Sequence, residues 1–477
     1  MAPIHSALFT DLYDLTMIQG YRRFHENHDV VFDMFFRRQP FSGGFTVFAG
    51  LDDLIDRIER FRFTDEDIAY LETVGLFEAD FLEYLREFRF SGKLFAMREG
   101  SIVFPGEPLI RVQAPLVEAQ LIEGMLLNTI NFQTLIATKS ARVYCASSGG
   151  LVLEFGLRRA QGQDGAMSAT RAAYIGGAAA TSNTLAGRVY GIPVKGTMAH
   201  SWVMAFGSEQ ESFDRYAELY PDSTILLIDT YSTLGSGIEC AIETGKRMKA
   251  QGHKIGVRLD SGDLEYLSKE VRRRLDEAGL EEATITASNE LNEEIIHQLI
   301  TSESPIDSWG VGTNMVTGGE DSSLTGVYKL AAKGDGNLQP TIKVSNQPAK
   351  TTNPGIKQVY RFRNASNTPL ADLIALESEE IAEGRRYTFN HPDLSARRFE
   401  MAHYASIEPL LQLKMESGNR VAERVPLAEL RDYCIASLEE FDHTFKRIIN
   451  PHIYKVSLSD SLAEMKRDLI SQYTQEI

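Results

Sequence analysis

Two patterns of apolar and polar positions divide the chain. Over the first 132 residues the pattern is mixed. Thr10 is placed to cap a helix running to about Arg23, and Tyr13 on that helix reads as a semi-buried packing residue. Val30–Arg37 and Phe45–Ala49 are rich in aromatic and β-branched residues, with Ser42-Gly43-Gly44 between them, which predicts paired strands. Leu51–Arg60 and Thr64–Glu87 carry helical spacing. Gly92–Met97, Ser101–Phe104 and Glu107–Gln113 are short strand candidates separated by Gly and Pro turns. Together these predict an α+β module over 1–132. A long helical pattern from Leu116 to Ser140 marks its boundary.

From 133 to 346 the pattern becomes an alternation. Strand candidates at Leu151–Phe155, Ile192–Lys195, Thr224–Ile228, Lys254–Leu259, Thr284–Ala287 and Asp307–Val311 are separated by helical stretches. Such alternation predicts βα units around a parallel sheet. Six units in series, with no Gly-x-Gly-x-x-Gly after the first strand, favour a barrel over a doubly wound sheet. Gly326–Ala332 and Pro340–Val344 follow as further strands, and Gln347–Gly355 reads as a turn-rich crossing. The segment 347–477 mixes short strands with charged helices, including Pro426–Arg447 and a last helix from about Ser459.

A barrel collects its chemistry at the C-terminal ends of its strands. Here every predicted barrel strand runs into polar, charged or glycine residues: Gly156-Leu157-Arg158-Arg159, Gly196-Thr197-Met198-Ala199-His200-Ser201, Asp229-Thr230-Tyr231, Arg258-Leu259-Asp260-Ser261-Gly262, Ser288-Asn289-Glu290 and Gly310-Val311-Gly312-Thr313-Asn314. The fourth is the most informative. Arg258 and Asp260 are two apart, so an extended chain turns both side chains to one face. Ser261, Gly262 and Asp263 then form a turn whose oxygens cap the next helix. A cation, a carboxylate and small turn residues suit a polyhydroxylated, phosphorylated ligand, although an Arg–Asp pair also steadies loops with no further role. Gly312 and Thr313, late in the barrel, are where backbone N–H groups and a hydroxyl would meet a phosphate; a Gly-rich turn is the plainer reading. His200, flanked by Thr197 and Ser201, is a candidate nucleophile or acid–base group, though most loop histidines are inert.

Composition narrows the class. The chain has 477 residues, 43% hydrophobic and 24% charged, which is ordinary globular usage. Met1 to Leu15 holds no basic segment followed by an apolar core, and no apolar run reaches transmembrane length. The three cysteines, Cys145, Cys240 and Cys434, lie far apart, which fits a reducing cytoplasm and leaves no zinc-knuckle spacing. A net charge of −17 argues against a broad nucleic-acid surface. An anionic small substrate would need a local cation cluster, for which Arg158, Arg159, Lys195 and Arg258 are the candidates. P-loop, His-Glu-x-x-His and Gly-x-Ser-x-Gly motifs are absent.

The motifs Thr10-Asp11-Leu12-Tyr13, Glu154-Phe155-Gly156-Leu157-Arg158-Arg159, Gly196 to Ser201, Arg258 to Asp263, Gly310 to Asn314 and Pro451 to Ser457 occur in an order that resembles nicotinate phosphoribosyltransferases. The resemblance spans nearly the whole chain. It implies a type II phosphoribosyltransferase fold, α/β in class: an irregular α/β barrel over 133–346 packed on an α+β sandwich built from both chain ends, 1–132 and 347–477. It also implies a homodimer with shared active sites. The expected reaction joins nicotinate to phosphoribosyl pyrophosphate, coupled to ATP through a phosphohistidine at His200, with Mg²⁺ on the diphosphate. In the same family pattern Arg158 and Phe155 hold the pyridine ring and Tyr13 of the partner subunit covers it. Arg258 and Asp260 meet the ribose. Gly312 and Thr313 take the 5′-phosphate, and Ser201 and Asp229 complete the substrate site.

Nicotinamide phosphoribosyltransferases share most of these motifs. They resemble this chain less at Thr181-Ser182-Asn183-Thr184, where that group carries an aspartate and the matching position here is Asn183. Asparagine tolerates a carboxylate substrate that aspartate would repel. A phosphate-binding barrel lyase or isomerase would need no ATP, and a metabolite sensor would not need six decorated strand ends. The expectations are therefore a cytoplasmic enzyme with nicotinate, phosphoribosyl pyrophosphate and ATP as partners, and no membrane or nucleic-acid partner.

Overall fold

The computed structural model describes residues 6–347, 350–394 and 396–474. The chain divides into two compact units, residues 1–135 with 323–477, and residues 136–322. The helix Glu123–Ala146 carries the chain from the first to the second.

The first unit is built from both chain ends. An antiparallel sheet runs in the order Gln339–Pro340, Gly326–Gly334, Asp29–Phe36, Ile110–Pro115, Lys93–Ala96, Gln412–Glu416, Asn419–Arg420. A second sheet runs Arg398–Met401, Tyr387–Asn390, Val456–Leu458, Pro369–Leu376, Lys357–Arg363, Ser406–Pro409. One apolar core joins them: Phe36, Ile110 and Tyr328 share it with Val359, Ile374 and Leu458. Two buried cations of this unit are each paired with a buried carboxylate, which offsets the cost of burial. Lys357 Nζ lies 2.8 Å from Asp33, and Arg361 is bonded to Asp372.

The second unit holds six parallel strands in the order Ala180–Thr181, Leu151–Glu154, Ser308–Val311, Thr284–Ala287, Gly256–Leu259, Ile225–Leu227. Parallel strands need crossovers, and helices supply them, among them Gly162–Ile175, Ile238–Ala250, Leu264–Glu277 and Glu293–Thr301. Asn183, Asp263 and Asn292 accept from the backbone N–H three residues on and so start the following helices. Leu226, Val257, Leu259 and Ile285 are fully buried within the wall. No ladder among the described residues joins the two outer strands, Ala180–Thr181 and Ile225–Leu227, so the barrel is irregular. Parallel alignment leaves all six C-terminal ends on one rim.

Several sequence expectations need correction. Phe45–Ala49 does not pair with Asp29–Phe36: only Thr46–Val47 is extended, and it joins Ile102–Val103, because Pro40 starts a 3-10 turn that takes the chain out of hairpin geometry. Ile192–Lys195 is not a strand. Pro193 has no N–H for a ladder, and the segment makes one bridge, Thr181 to Val194; the unforeseen strand there is Ala180–Thr181. Thr64–Glu87 splits at Gly75 into Asp65–Val74 and Ala79–Glu87, and Pro426–Arg447 splits into Leu427–Glu440 and His443–Lys446. The helix cap near Thr10 is Asp11, while the Thr10 hydroxyl turns to Asp14 at 3.3 Å. Gly326–Ala332, read in sequence with the barrel, lies in the strand Gly326–Gly334, which pairs along Asp29–Phe36 in the first unit. The crossing read at Gln347–Gly355 lies partly outside the described residues. Among the described residues no helix is long and apolar enough to cross a membrane.

Candidate active site

The site grows from the Gly256–Leu259 strand. Arg258 and the residue just past the strand, Asp260, do share a face: Arg258 Nη2 donates to Asp260 Oδ1 at 2.7 Å. The guanidinium is held on its other sides as well. Nε donates to Ser288 Oγ at 2.7 Å and Nη1 to Thr197 Oγ1 at 2.9 Å. Ser288 donates to the same Asp260 oxygen in a short hydrogen bond. The neighbouring strand end at Ser288 and the loop at Thr197 thus lock one cation in a fixed plane.

Asp260 is also held from the side of the Ile225–Leu227 strand. Its backbone N–H donates to Asp229 Oδ2 at 3.1 Å, and Ser261 Oγ donates to that oxygen at 2.5 Å. The other Asp229 oxygen is buried with no hydrogen-bond partner. Burial alone would raise the Asp260 carboxyl. The Arg258 guanidinium and the Ser288 hydroxyl outweigh that, and the group is held below its usual range. It is a carboxylate at neutral pH.

His200 opens the short helix His200–Met204 on the loop that starts at Gly196. Its Nδ1 lies 3.1 Å from Thr230 Oγ1 and its Nε2 lies 3.7 Å from Asp260 Oδ2. The imidazole is partly exposed, so one face stays open to a ligand. Ser201 beside it is exposed.

Phe155 follows the Leu151–Glu154 strand, with its N–H on Val311 O at 2.8 Å. Its ring lies over Gly310, where an added Cβ would sit 2.7 Å from Phe155 Cδ2. Glycine is required there by the ring. The Arg258 guanidinium is 5.9 Å from the ring centroid. Gly312 and Thr313 start the short Thr313–Thr317 helix on the same rim. Arg158 is exposed on the turn after Phe155.

Asn183 has a role that its sequence position did not reveal. It is buried, its carbonyl oxygen caps the Thr184–Tyr190 helix at Ala186 N (3.2 Å), and its amide faces Thr170 Oγ1 at 3.4 Å. Beside it stands a group the sequence reading quoted without a role. Glu154 is buried and accepts from Gly156 N (2.5 Å), Thr181 Oγ1 (2.5 Å) and Thr170 Oγ1 (2.9 Å). This carboxylate ties the Phe155 turn to the Asn183 turn. Ser288, Thr197 and Thr230 were likewise visible only as strand-end residues. Tyr13 belongs to the first unit, on the Leu12–Arg23 helix, and is 49% exposed rather than semi-buried.

A rim that brings together a fixed Arg–Asp pair, a second carboxylate, a histidine, an aromatic ring and a Gly-Thr turn is suited to an anionic sugar phosphate and a flat ring. Family models match the chain in order: the nicotinate phosphoribosyltransferase N-terminal domain over residues 8–131, the family domain over 151–368 and the C-terminal domain over 356–466. The chain belongs to the nicotinate phosphoribosyltransferase family. It is 44% identical to a Bacillus subtilis nicotinate phosphoribosyltransferase, covering 99% of this chain and 96% of that protein. A human nicotinate phosphoribosyltransferase is 34% identical over 97% of this chain and 96% of its own length. The crystal structure of human nicotinic acid phosphoribosyltransferase superposes with a TM-score of 0.85 at 31% identity, covering 96% of this chain and 99% of that one. The type II phosphoribosyltransferase fold is thereby established for this member of the family.

Proposed function

We propose that this chain joins nicotinate to phosphoribosyl pyrophosphate, forming nicotinate mononucleotide and pyrophosphate, with ATP hydrolysed alongside through a phosphohistidine at His200. The observation that carries the reading is the Arg258–Asp260 pair, held rigid on a rim that also bears His200, Asp229 and Phe155.

In the transfer, the pyridine nitrogen attacks the ribose C1 carbon with its free lone pair. The C1–O bond breaks and its electron pair leaves with pyrophosphate. No proton moves, so no general base is needed. Positive charge grows on the ribose ring as the bond breaks, and a fixed carboxylate such as Asp260 stabilises it without reorganising. Arg258 offsets charge on the anionic substrate and keeps Asp260 in place. Phe155 supports one face of the ring, and Tyr13 of the partner subunit covers the other in a homodimer. Gly312 and Thr313 would take the 5′-phosphate, with Ser201 near the reacting end. The exposed Arg158 attracts the carboxylate of nicotinate, and the neutral Asn183 does not repel it.

Mg²⁺ fits the residues present. Hard cations take phosphate oxygens and waters, so the diphosphate itself would be the ion's main ligand. Asp229, with one buried oxygen free of hydrogen bonds, and Asp260 would supply the protein oxygens. The ion would neutralise charge on the departing diphosphate.

A phosphoryl group on His200 adds about two negative charges close to Asp260, by analogy with other phosphorylated side chains. That repulsion links ATP use to the state of the ribose site. ATP alone should label the protein with an acid-labile, base-stable phosphate, and His200→Ala should abolish the label while slow ATP-independent transfer persists. Full labelling of the variant would overturn the assignment of His200. Equal use of nicotinamide and nicotinate by the unmodified protein would overturn the assignment of the acid.

A further inference from the structure

We propose that Ser288 is a positioning residue for phosphoribosyl transfer: its hydroxyl bridges Arg258 and Asp260 and decides which carboxylate oxygen of Asp260 faces the ribose. The inference rests on the transfer reading above and adds to it a residue one strand away from the reacting pair.

Parallel register carries Ser288 there. Thr286 pairs with Arg258 and Ala287 with Leu259, so Ser288 comes level with Asp260. Its backbone N–H donates to Leu259 O at 2.9 Å, which fixes the main chain, and the side chain is 2% exposed. The next residue, Asn289, has φ of 93°, a left-handed conformation that asparagine tolerates better than most side chains. The chain therefore turns away immediately after placing the hydroxyl.

A serine hydroxyl has one proton and two lone pairs. Here the proton goes to Asp260 Oδ1 and a lone pair takes Arg258 Nε at 2.7 Å. Arg258 Nη2 also donates to Asp260 Oδ1, at 2.7 Å. The result is a closed ring of Arg, Ser and Asp. Asp260 Oδ1 is committed to two donors, which leaves Oδ2 to face His200 Nε2 at 3.7 Å and any ligand on the rim. Without Ser288 the guanidinium loses one of its anchors and the carboxylate gains freedom to rotate.

Charged hydrogen bonds of this kind, and small misplacements of reacting groups, make a kcat loss of about ten- to a hundredfold the expected result for Ser288→Ala, with KM for nicotinate nearly unchanged. Two further variants separate hydrogen bonding from packing. Ser288→Cys keeps the volume but is a weak donor, so it should behave like Ser288→Ala. Ser288→Thr keeps the hydroxyl and should recover most of the kcat. Steady-state turnover of nicotinate with phosphoribosyl pyrophosphate by the four proteins reads this out. If the unmodified protein turns over and Ser288→Cys matches it, or if all variants lose kcat and raise the nicotinate KM together, Ser288 is only a packing residue and the inference fails. If the unmodified protein shows no turnover, the transfer reading itself fails and this inference falls with it.

Discussion

Gly310→Ala tests whether the Phe155 ring is the floor of the nicotinate site. An alanine Cβ at 310 would lie 2.7 Å from Phe155 Cδ2 and 2.9 Å from Cε2. Ordinary carbon contacts are about 3.5–4.0 Å, so the ring must withdraw by about 1 Å. The Phe155 backbone is pinned to Val311 O at 2.8 Å, so the shift falls on the side chain. The same Cβ would be 3.3 Å from Ser288 Cβ, which presses on the group that holds Arg258 and Asp260. Overpacking of this kind destabilises by about 1–3 kcal/mol, and thermal unfolding should show it as a lower midpoint. Losing a well-placed aromatic face removes about 0.5–1.5 kcal/mol of ring binding, a rise in nicotinate KM of about two- to twelvefold. KM for phosphoribosyl pyrophosphate should change less, because its phosphate groups are not expected on the ring. Steady-state kinetics with each substrate varied in turn gives both values. An unchanged nicotinate KM alongside a lowered melting midpoint would refute the placement of the pyridine ring on Phe155.

Asn183→Ala should lower the melting midpoint through loss of a helix cap, about 1 kcal/mol, whereas Asn183→Asp should keep the cap and instead weaken nicotinate relative to nicotinamide; equal stability of the two variants would contradict the capping role. Glu154→Gln places an amide against three donors, so destabilisation of about 1–3 kcal/mol in denaturant titration is expected, and a neutral effect would show that the carboxylate does not organise the turn. Asp260 is held below its usual range in the folded state, so its contribution to stability is complete above the unfolded value and is lost as pH falls through the folded one. Compared with Asp260→Asn, the stability difference should be constant near neutrality and shrink only below about pH 4; a difference that already shrinks between pH 7 and 6 would contradict the assigned direction. Mixed refolding of Tyr13→Ala and Asp260→Ala chains should restore activity above either parent, since a shared site leaves one of the two hybrid sites intact, and no recovery would place Tyr13 elsewhere.

What the chain made legible was whatever depends on short spacing. Arg258 and Asp260 fall on one face because they are two apart on an extended segment, and Asp263 caps the next helix as a turn oxygen does. Ser288 was legible only as a strand end, because its meaning depends on the register between two strands some thirty residues apart in sequence. The capping role of Asn183 was hidden for a related reason. Its residue type suits both a ligand contact and an N-cap, and the helix that begins at Thr184 uses its carbonyl for the second. The Ile192–Lys195 stretch has the composition of a strand but carries Pro193, while the two-residue strand Ala180–Thr181 is too short to show an alternation. Phe45–Ala49 had the right composition and the wrong partner, since pairing partners in an antiparallel unit are set by turns and not by strand sequence.

The most direct test of the account is product formation by the purified protein with nicotinate, phosphoribosyl pyrophosphate, Mg²⁺ and ATP. Nicotinate mononucleotide and pyrophosphate should appear in equal amounts, faster with ATP than without it, and nicotinamide in place of nicotinate should turn over orders of magnitude more slowly. Absence of the mononucleotide under these conditions, or a rate with nicotinamide equal to that with nicotinate, would contradict the assignment.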